Sequence, residues 1–189
     1  MKPNIFEFLY SVLINYNREY MRISALFLSL LLFANVGVYA RSTTFILVRH
    51  AEKDSSPTAS KTNPELTAQG KQRAMRLYDL IKDCRPQYIF STPFIRTFET
   101  AVPTADSVIP NYRLQIQFYD FDELEEFTAK VLNLNAKCVL IVGHNSTTPA
   151  LANLLIKQEK YKQLADNEYN KAFFITVNGG KIEDKVIEY

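Results

Sequence analysis

Histidine and cysteine each occur only twice in the 189 residues, and glycine only five times. So few histidines and cysteines exclude a zinc cluster of the usual Cys/His type. Neither a GxGxxG nor a GxxxxGK[ST] stretch occurs, so the glycine-rich loops that cradle dinucleotides and nucleoside triphosphates are missing. Five glycines also exclude collagen-like sequence and glycine-rich linkers. An excess of one charge is lacking too. The 22 Lys and Arg against 20 Asp and Glu leave a net charge of +2, which argues against a dedicated nucleic-acid binder with its basic face. Hydrophobic residues, by contrast, make up 47% of the chain and charged residues 22%. That is enough for a real core and incompatible with global disorder. The length suits one domain of ordinary size.

The first forty residues differ from the rest. Residues 23–38 (ISALFLSLLLFANVGV) form an apolar run behind Arg22, and Val38-Tyr39-Ala40 follows with an A-x-A-like end. Charged flank, short apolar stretch and small-residue end predict a secretory signal over 21–40, cleaved near Ala40. The run is shorter than the roughly 20 residues a membrane span needs, so an uncleaved anchor is the weaker alternative. Met21-Arg22 makes a conventional start for such a signal. Residues 1–20 then stand as an N-terminal extension, either upstream of the true start or as a longer amphipathic lead with Ile5, Phe8, Leu9 and Val12 at helical spacing. The working domain is 41–189, with 19 basic against 18 acidic residues. Export places Cys84 and Cys138 where a disulfide is allowed, and two buried thiols are the other reading.

Along that domain, 44–48 (TFILV), 88–90 (YIF) and 138–142 (CVLIV) are short continuous apolar runs, as expected of strands buried on both faces. Helices are predicted over 66–82, capped by Thr67, and over 94–105, opened by Thr92-Pro93 and ended or kinked at Pro103. Two more are predicted over 122–134, capped by Asp122, and over 149–157, opened by Thr148-Pro149. Residues 55–64 read as a loop, and 173–177 and 182–187 around Gly179-Gly180 as a β-hairpin. Strands alternating with helices give a mostly parallel sheet between helical layers, a three-layer α/β/α domain.

In such sheets ligands bind outside the carboxyl ends of the strands. The first strand ends in Arg49-His50-Ala51-Glu52-Lys53, the second in Ser91-Thr92-Pro93 with Arg96 one turn on, the third in Gly143-His144-Asn145. Both histidines of the chain therefore fall on one edge with two arginines and two helix N-termini. Arginine forks and free helix N–H groups suit phosphate oxygens. The pattern points to a phosphate site without a metal.

Arg49-His50-Ala51-Glu52 resembles the RHG/RHAE signature of the histidine phosphatase superfamily, the phosphoglycerate-mutase-like fold. Leu66-Thr67-Ala68-Gln69-Gly70 is similar to its LT..G segment. The stretch from Ser91 to Thr97, continued by Glu99-Thr100-Ala101, is similar to SSPLxRTxxTA, and Gly143-His144 to its GH segment. The resemblance implies a six-stranded sheet of order 3-2-4-1-5-6 with strand 5 antiparallel. It implies that His50 is the nucleophile phosphorylated on a ring nitrogen, with Arg49, Arg96 and His144 as phosphate-pocket residues and His144 protonated on the anion. The proton donor is expected between the second and third strand-end motifs, at Asp120, Asp122 or Glu123, with Asp120 preferred because Asp122 is given to the helix cap; Glu52 is the other candidate. Ser91 and Asn145 are further substrate-binding candidates. Asn145-Ser146-Thr147 departs from the Ser-Asn-Thr order of small exported relatives and also spells a glycosylation sequon. Lys53 stands nearby as a solvated or substrate-attracting cation.

The expectation is an exported, metal-independent phosphatase without a cofactor, periplasmic or otherwise extracytoplasmic, acting on a small phosphorylated substrate such as a sugar phosphate. It has neither a nucleic-acid partner nor a stable membrane partner after cleavage. The alternatives are a phosphomutase on the same core and a non-catalytic phosphate or phosphosugar binder. Specificity is assigned to the loops 55–64 and 108–121.

Overall fold

A computed structural model of the chain describes residues 4, 6–10, 13–16, 20, 42–107 and 115–189. The chain divides into two compact units, Met1–Tyr39 and Ala40–Tyr189. In the first, residues 6–10 and 13–16 are helical. Ile5, Val12, the predicted signal 21–40 and its cleavage point lie outside the described residues, as do 108–114. No described helix is long and apolar enough to cross a membrane.

The second unit is a six-stranded sheet between helices. Its elements run β1 (Ser42–Arg49), α1 (Ala68–Ile81), a 3-10 turn (Lys82–Cys84), β2 (Tyr88–Ser91), α2 (Ile95–Ser107), β3 (Ile116–Phe118), α3 (Leu124–Leu132), β4 (Cys138–Gly143), α4 (Thr147–Ile156), β5 (Lys171–Asn178) and β6 (Lys181–Glu188). The strand order is β3-β2-β4-β1-β5-β6. β3, β2, β4 and β1 are parallel, and β5 is antiparallel to both β1 and β6. The α/β fold and strand order are those the motifs implied.

Period-two alternation explains why the strands read as continuous apolar runs. Phe45 and Leu47 of β1 pack with Phe90, Ile141 and Phe173 against Phe127 and Val131 of α3 and Leu151 and Leu155 of α4. Ile46 and Val48 pack with Ile89, Leu140 and Val142 against Leu77 and Ile81 of α1 and Ala101 and Ala105 of α2. Both faces of the sheet are buried, so no polar alternation is needed. Cys84 and Cys138 form a disulfide, Cα–Cα 6.1 Å, joining the turn after α1 to the start of β4.

Several predicted element ends move. Pro103 does not end its helix: α2 runs through it to Ser107. A proline removes one intrahelical bond, and the burial of Ala101, Thr104 and Ala105 keeps the turn beyond it in place. That helix starts at Ile95 rather than at Phe94, with Thr92-Pro93 not opening it: the Thr92 hydroxyl is used elsewhere and the Ile95 amide donates instead to Asn63 Oδ1 at 2.8 Å. Asp122 is not a cap. Glu123 occupies that position without a side-chain bond, and the Asp122 amide donates to Asp120 Oδ1 at 2.9 Å. α4 begins at Thr147, two residues before Pro149. β3 had no sequence signal of its own. The hairpin and the Thr67 cap form as expected: Thr67 Oγ1 accepts from the Gly70 amide at 3.0 Å, and Gly179 and Gly180 take φ values of 55° and 91°.

Candidate active site

Register brings the strand ends level. Arg49 pairs with Gly143 and Ser91 with Val142, so His50, Thr92 and His144 leave the sheet side by side. The His50 amide still donates to the Gly143 carbonyl at 2.9 Å. The two imidazole centroids are 5.6 Å apart, in an edge-on arrangement.

The segment after β1 is clamped from two sides. The Ala51 amide donates to Thr100 Oγ1 at 2.9 Å. The Glu52 carbonyl accepts from the Thr67 amide at 2.9 Å and the Thr67 hydroxyl at 3.3 Å, and Lys53 bridges Leu66. Gly70 completes the clamp. A Cβ there would come within 2.3 Å of the Glu52 carbonyl oxygen, so only glycine lets α1 approach this closely. The LTAQG and RTFETA segments thus hold the backbone that carries His50.

His50 is 4% exposed, and its Nδ1 lies 2.8 Å from the Ala51 carbonyl. A carbonyl only accepts, so Nδ1 carries the hydrogen and Nε2 keeps its lone pair. Burial first, then Arg49, Arg96 and His144, hold the His50 pKa down to about 3 against the Ala51 hydrogen bond. His50 is a neutral, nucleophilic imidazole at any physiological pH. His144 is held down to about 4 by burial, then by Arg96, Arg49 and Lys53. It is therefore neutral without a bound anion, and the expected protonation is one that an anion would have to bring about. Its Nε2 is 3.0 Å from Thr92 Oγ1.

The arginines flank this pair. Arg49 donates through Nη1 to the carbonyls of Ala165, Asp166 and Glu168, at 2.8, 3.1 and 3.1 Å, and stacks 4.1 Å over Tyr169. Arg96 lies 4.3 Å over the Phe94 ring. Each guanidinium leaves a buried Nε–H with no acceptor among the described residues. Burial lowers both from the ordinary arginine value. Tyr169, Asp166 and Glu168 oppose this at Arg49, and Arg49 adds to it at Arg96. Buried donors without acceptors are rare and call for a partner. Among the described residues no group of three His, Cys, Asp or Glu gathers as metal ligands.

Other candidates sit differently. Ser91 is fully buried and donates to the Thr92 carbonyl at 2.8 Å, so its hydroxyl is spent on the backbone. The Glu52 carboxylate is gripped by Arg73 through three bonds of 2.6 to 2.9 Å. Its burial favours the neutral acid, yet Arg73 outweighs this and holds the pKa below the usual range. Glu52 is thus an ionised structural partner and a poor proton donor. Asn145 Nδ2 reaches Asp166 Oδ1 at 3.4 Å, and its carbonyl accepts from Leu164 at 3.0 Å, holding the loop before β5. Asp120 is exposed, one residue before Phe121.

Three aromatic residues complete the rim and escaped the sequence reading as site residues. Phe94 and Phe121 stand edge-on to His144 at 5.2 and 5.7 Å, and Tyr169 lies 5.9 Å from His50. Phe121 and Tyr169 lie in loops with no periodicity to mark them. A cleft of about 510 Å³ shares Phe121 with this rim, but Asp122, Glu125 and Glu159 line it, so it is unsuited to an anion.

Residues 45–130 match the family model described as histidine phosphatase superfamily (branch 1). That segment carries Arg49, His50 and Arg96, and the superfamily it matches is the one its motifs resemble. No curated protein matches the sequence. Among solved structures, an Escherichia coli protein provisionally described as an alpha-ribazole-5'-P phosphatase is similar with a TM-score of 0.62 at 14% identity, over 78% of this chain and 97% of its own. The protein histidine phosphatase SixA complexed with tungstate gives 0.59 at 14%, over 77% and 97%. A phosphoserine phosphatase mutant from Entamoeba histolytica with phosphoserine bound gives 0.55 at 15%, over 76% and 95%.

Proposed function

We propose that this chain is an exported phosphatase that hydrolyses small phosphomonoesters through a phosphohistidine on His50, without a metal. The observation that carries the reading is one constellation. Two imidazoles stand 5.6 Å apart, beside two arginines whose buried Nε–H groups lack acceptors among the described residues. A phosphate dianion supplies the missing acceptors and the countercharge. The family match supports phosphatase chemistry in general, and the SixA relative binds tungstate, an oxyanion like phosphate.

In this reading His50 Nε2 attacks phosphorus in line with the ester oxygen. The N–P bond forms as the P–O bond breaks, and the leaving oxygen takes a proton. Arg49, Arg96 and His144 face the equatorial oxygens, where charge accumulates in a loose transition state. The dianion reverses the field at His144 and draws a proton onto it. Water then attacks phosphorus and gives up a proton to the group that protonated the leaving oxygen, the N–P bond breaks, and neutral His50 returns with inorganic phosphate. Asp120, next to Phe121 in the chain and without an arginine partner among the described residues, is the proposed acid. Asp120→Asn should slow alkyl phosphates at least about tenfold more than p-nitrophenyl phosphate, whose leaving group needs no proton.

Export rests on the Arg22-flanked apolar run and the Cys84–Cys138 bond. N-terminal sequencing of the exported product should begin near Arg41. A sugar phosphate is the proposed substrate class. Hydrolysis of p-nitrophenyl phosphate by residues 41–189, with and without chelator, tests the activity. Turnover that survives chelation and is lost in His50→Ala supports it. Tight phosphate binding without turnover supports a phosphate-binding protein instead.

A further inference from the structure

Behind His144 a chain of two hydroxyls decides which ring nitrogen carries hydrogen. Thr92 and Thr97 are both fully buried. The Thr97 hydroxyl has a single proton and lies 2.8 Å from the Phe94 carbonyl and 3.0 Å from the Thr92 carbonyl. Both groups only accept, and we assign the proton to them rather than to Thr92 Oγ1, the third acceptor in reach. Thr97 Oγ1 is 2.9 Å from Thr92 Oγ1 and is left to accept, which takes the Thr92 proton. Thr92 Oγ1 then has only lone pairs to offer His144 Nε2 at 3.0 Å. With the protons so assigned, the ring carries its hydrogen on Nε2. Its Nδ1 has no hydrogen-bond partner among the described residues.

We propose that Thr92, backed by Thr97, is a positioning residue that fixes His144 as the Nε2–H tautomer and presents Nδ1 to the bound oxyanion. The two imidazoles then hold opposite tautomers. His50 has hydrogen on Nδ1 and a free Nε2 to attack; His144 has hydrogen on Nε2 and a free Nδ1 to take up a proton and donate it to an oxyanion oxygen. Were Thr92 to donate instead, a proton arriving on His144 would break the bond that orients the ring. As wired, the Thr92 bond survives protonation and strengthens with it, since its donor becomes charged. The proposal rests on the phosphatase reading only for the identity of the oxyanion.

The chain has two histidines, so the imidazole region of a multiple-bond 1H–15N spectrum holds two rings. In the full chain at pH 7, in buffer without phosphate, one Nδ1–H ring (His50) and one Nε2–H ring (His144) are expected, assigned with His50→Gln. Thr92→Ser should keep this spectrum. Thr97→Val frees the Thr92 proton to donate to Nε2 and should move His144 toward the Nδ1–H tautomer. Thr92→Val and Thr97→Val should each lower kcat/KM about ten- to a hundredfold, while Thr92→Ser stays near wild type. An Nδ1–H tautomer for His144 in the wild type, or no change of tautomer in Thr97→Val, overturns the proposal. If the tautomers are as stated but the wild type hydrolyses no phosphomonoester, the phosphatase reading alone fails.

Discussion

The proposed mechanism asks His50 to meet two demands that usually conflict, being a neutral nucleophile while surrounded by cations. Burial and the same cations that would hold the phosphate keep it unprotonated, with a pKa of about 3, and the Ala51 carbonyl aims the lone pair through the tautomer. In that mechanism Arg96 contributes more than its charge, since its planar fork and its Nε–H, which has no acceptor among the described residues, suit adjacent phosphate oxygens. Arg96→Lys should therefore lower kcat/KM about ten- to a hundredfold and weaken inhibition by inorganic phosphate, in steady-state assays at constant ionic strength. Wild-type kinetics in the lysine variant would show that charge alone suffices. At this scale the sequence located Arg49, His50, Arg96 and His144, because each closes or follows a strand whose apolar run is unmistakable. It misread Ser91 and Glu52, whose partners (the Thr92 carbonyl and Arg73) are set by packing rather than by sequence distance. Phe121 and Tyr169 carried no sequence pattern.

The elements that support the site are clamps as much as scaffold. α1 presses so close to the segment after β1 that Gly70 has no room for a side chain, and Thr67 both caps α1 and holds the Glu52 carbonyl. Gly70→Ala should cost about 1–3 kcal/mol in denaturant unfolding and lower kcat by displacing the His50 backbone. Equal stability and activity would contradict the clamp. β1, β2, β4, the α1 cap and the hairpin were legible because burial on both faces, a Thr cap and a Gly-Gly turn are local signals. β3 was not: it is three residues long, half-exposed, and defined only by pairing with β2. The starts of α2 and α4 were misplaced because Thr-Pro looks like a cap and first residue. Here Thr92 bonds His144 instead, and Thr148 lies inside α4, donating to the Val48 carbonyl at 3.2 Å. Asp122 lost its expected cap role to a turn closed by Asp120.

Holding two imidazoles neutral ties the domain's stability to pH. Unfolded histidine titrates near 6.5, whereas folded His50 and His144 titrate near 3 and 4. Between those limits the unfolded chain binds protons that the folded one refuses. Their contribution is thus complete above about pH 6.5 and is lost as pH falls toward 4. In buffers without phosphate the Tm should drop from pH 7 to 5. The drop should be shallower in His50→Asn, and shallower in the wild type with saturating inorganic phosphate, which favours protonated His144. A parallel pH profile in His50→Asn would contradict this assignment. The strand order, by contrast, followed from the family resemblance rather than from any local pattern, since register and crossovers are long-range properties of the packed sheet. The account as a whole turns on a covalent step, and the most direct measurement is to quench the full chain during turnover of a phosphomonoester and map the modified residue by mass spectrometry. A phosphoryl group on His50, stable to base and labile to acid, and absent from His50→Ala, is the expected result; steady turnover with an unmodified His50, or with phosphate on Ser91 or another residue, would contradict it.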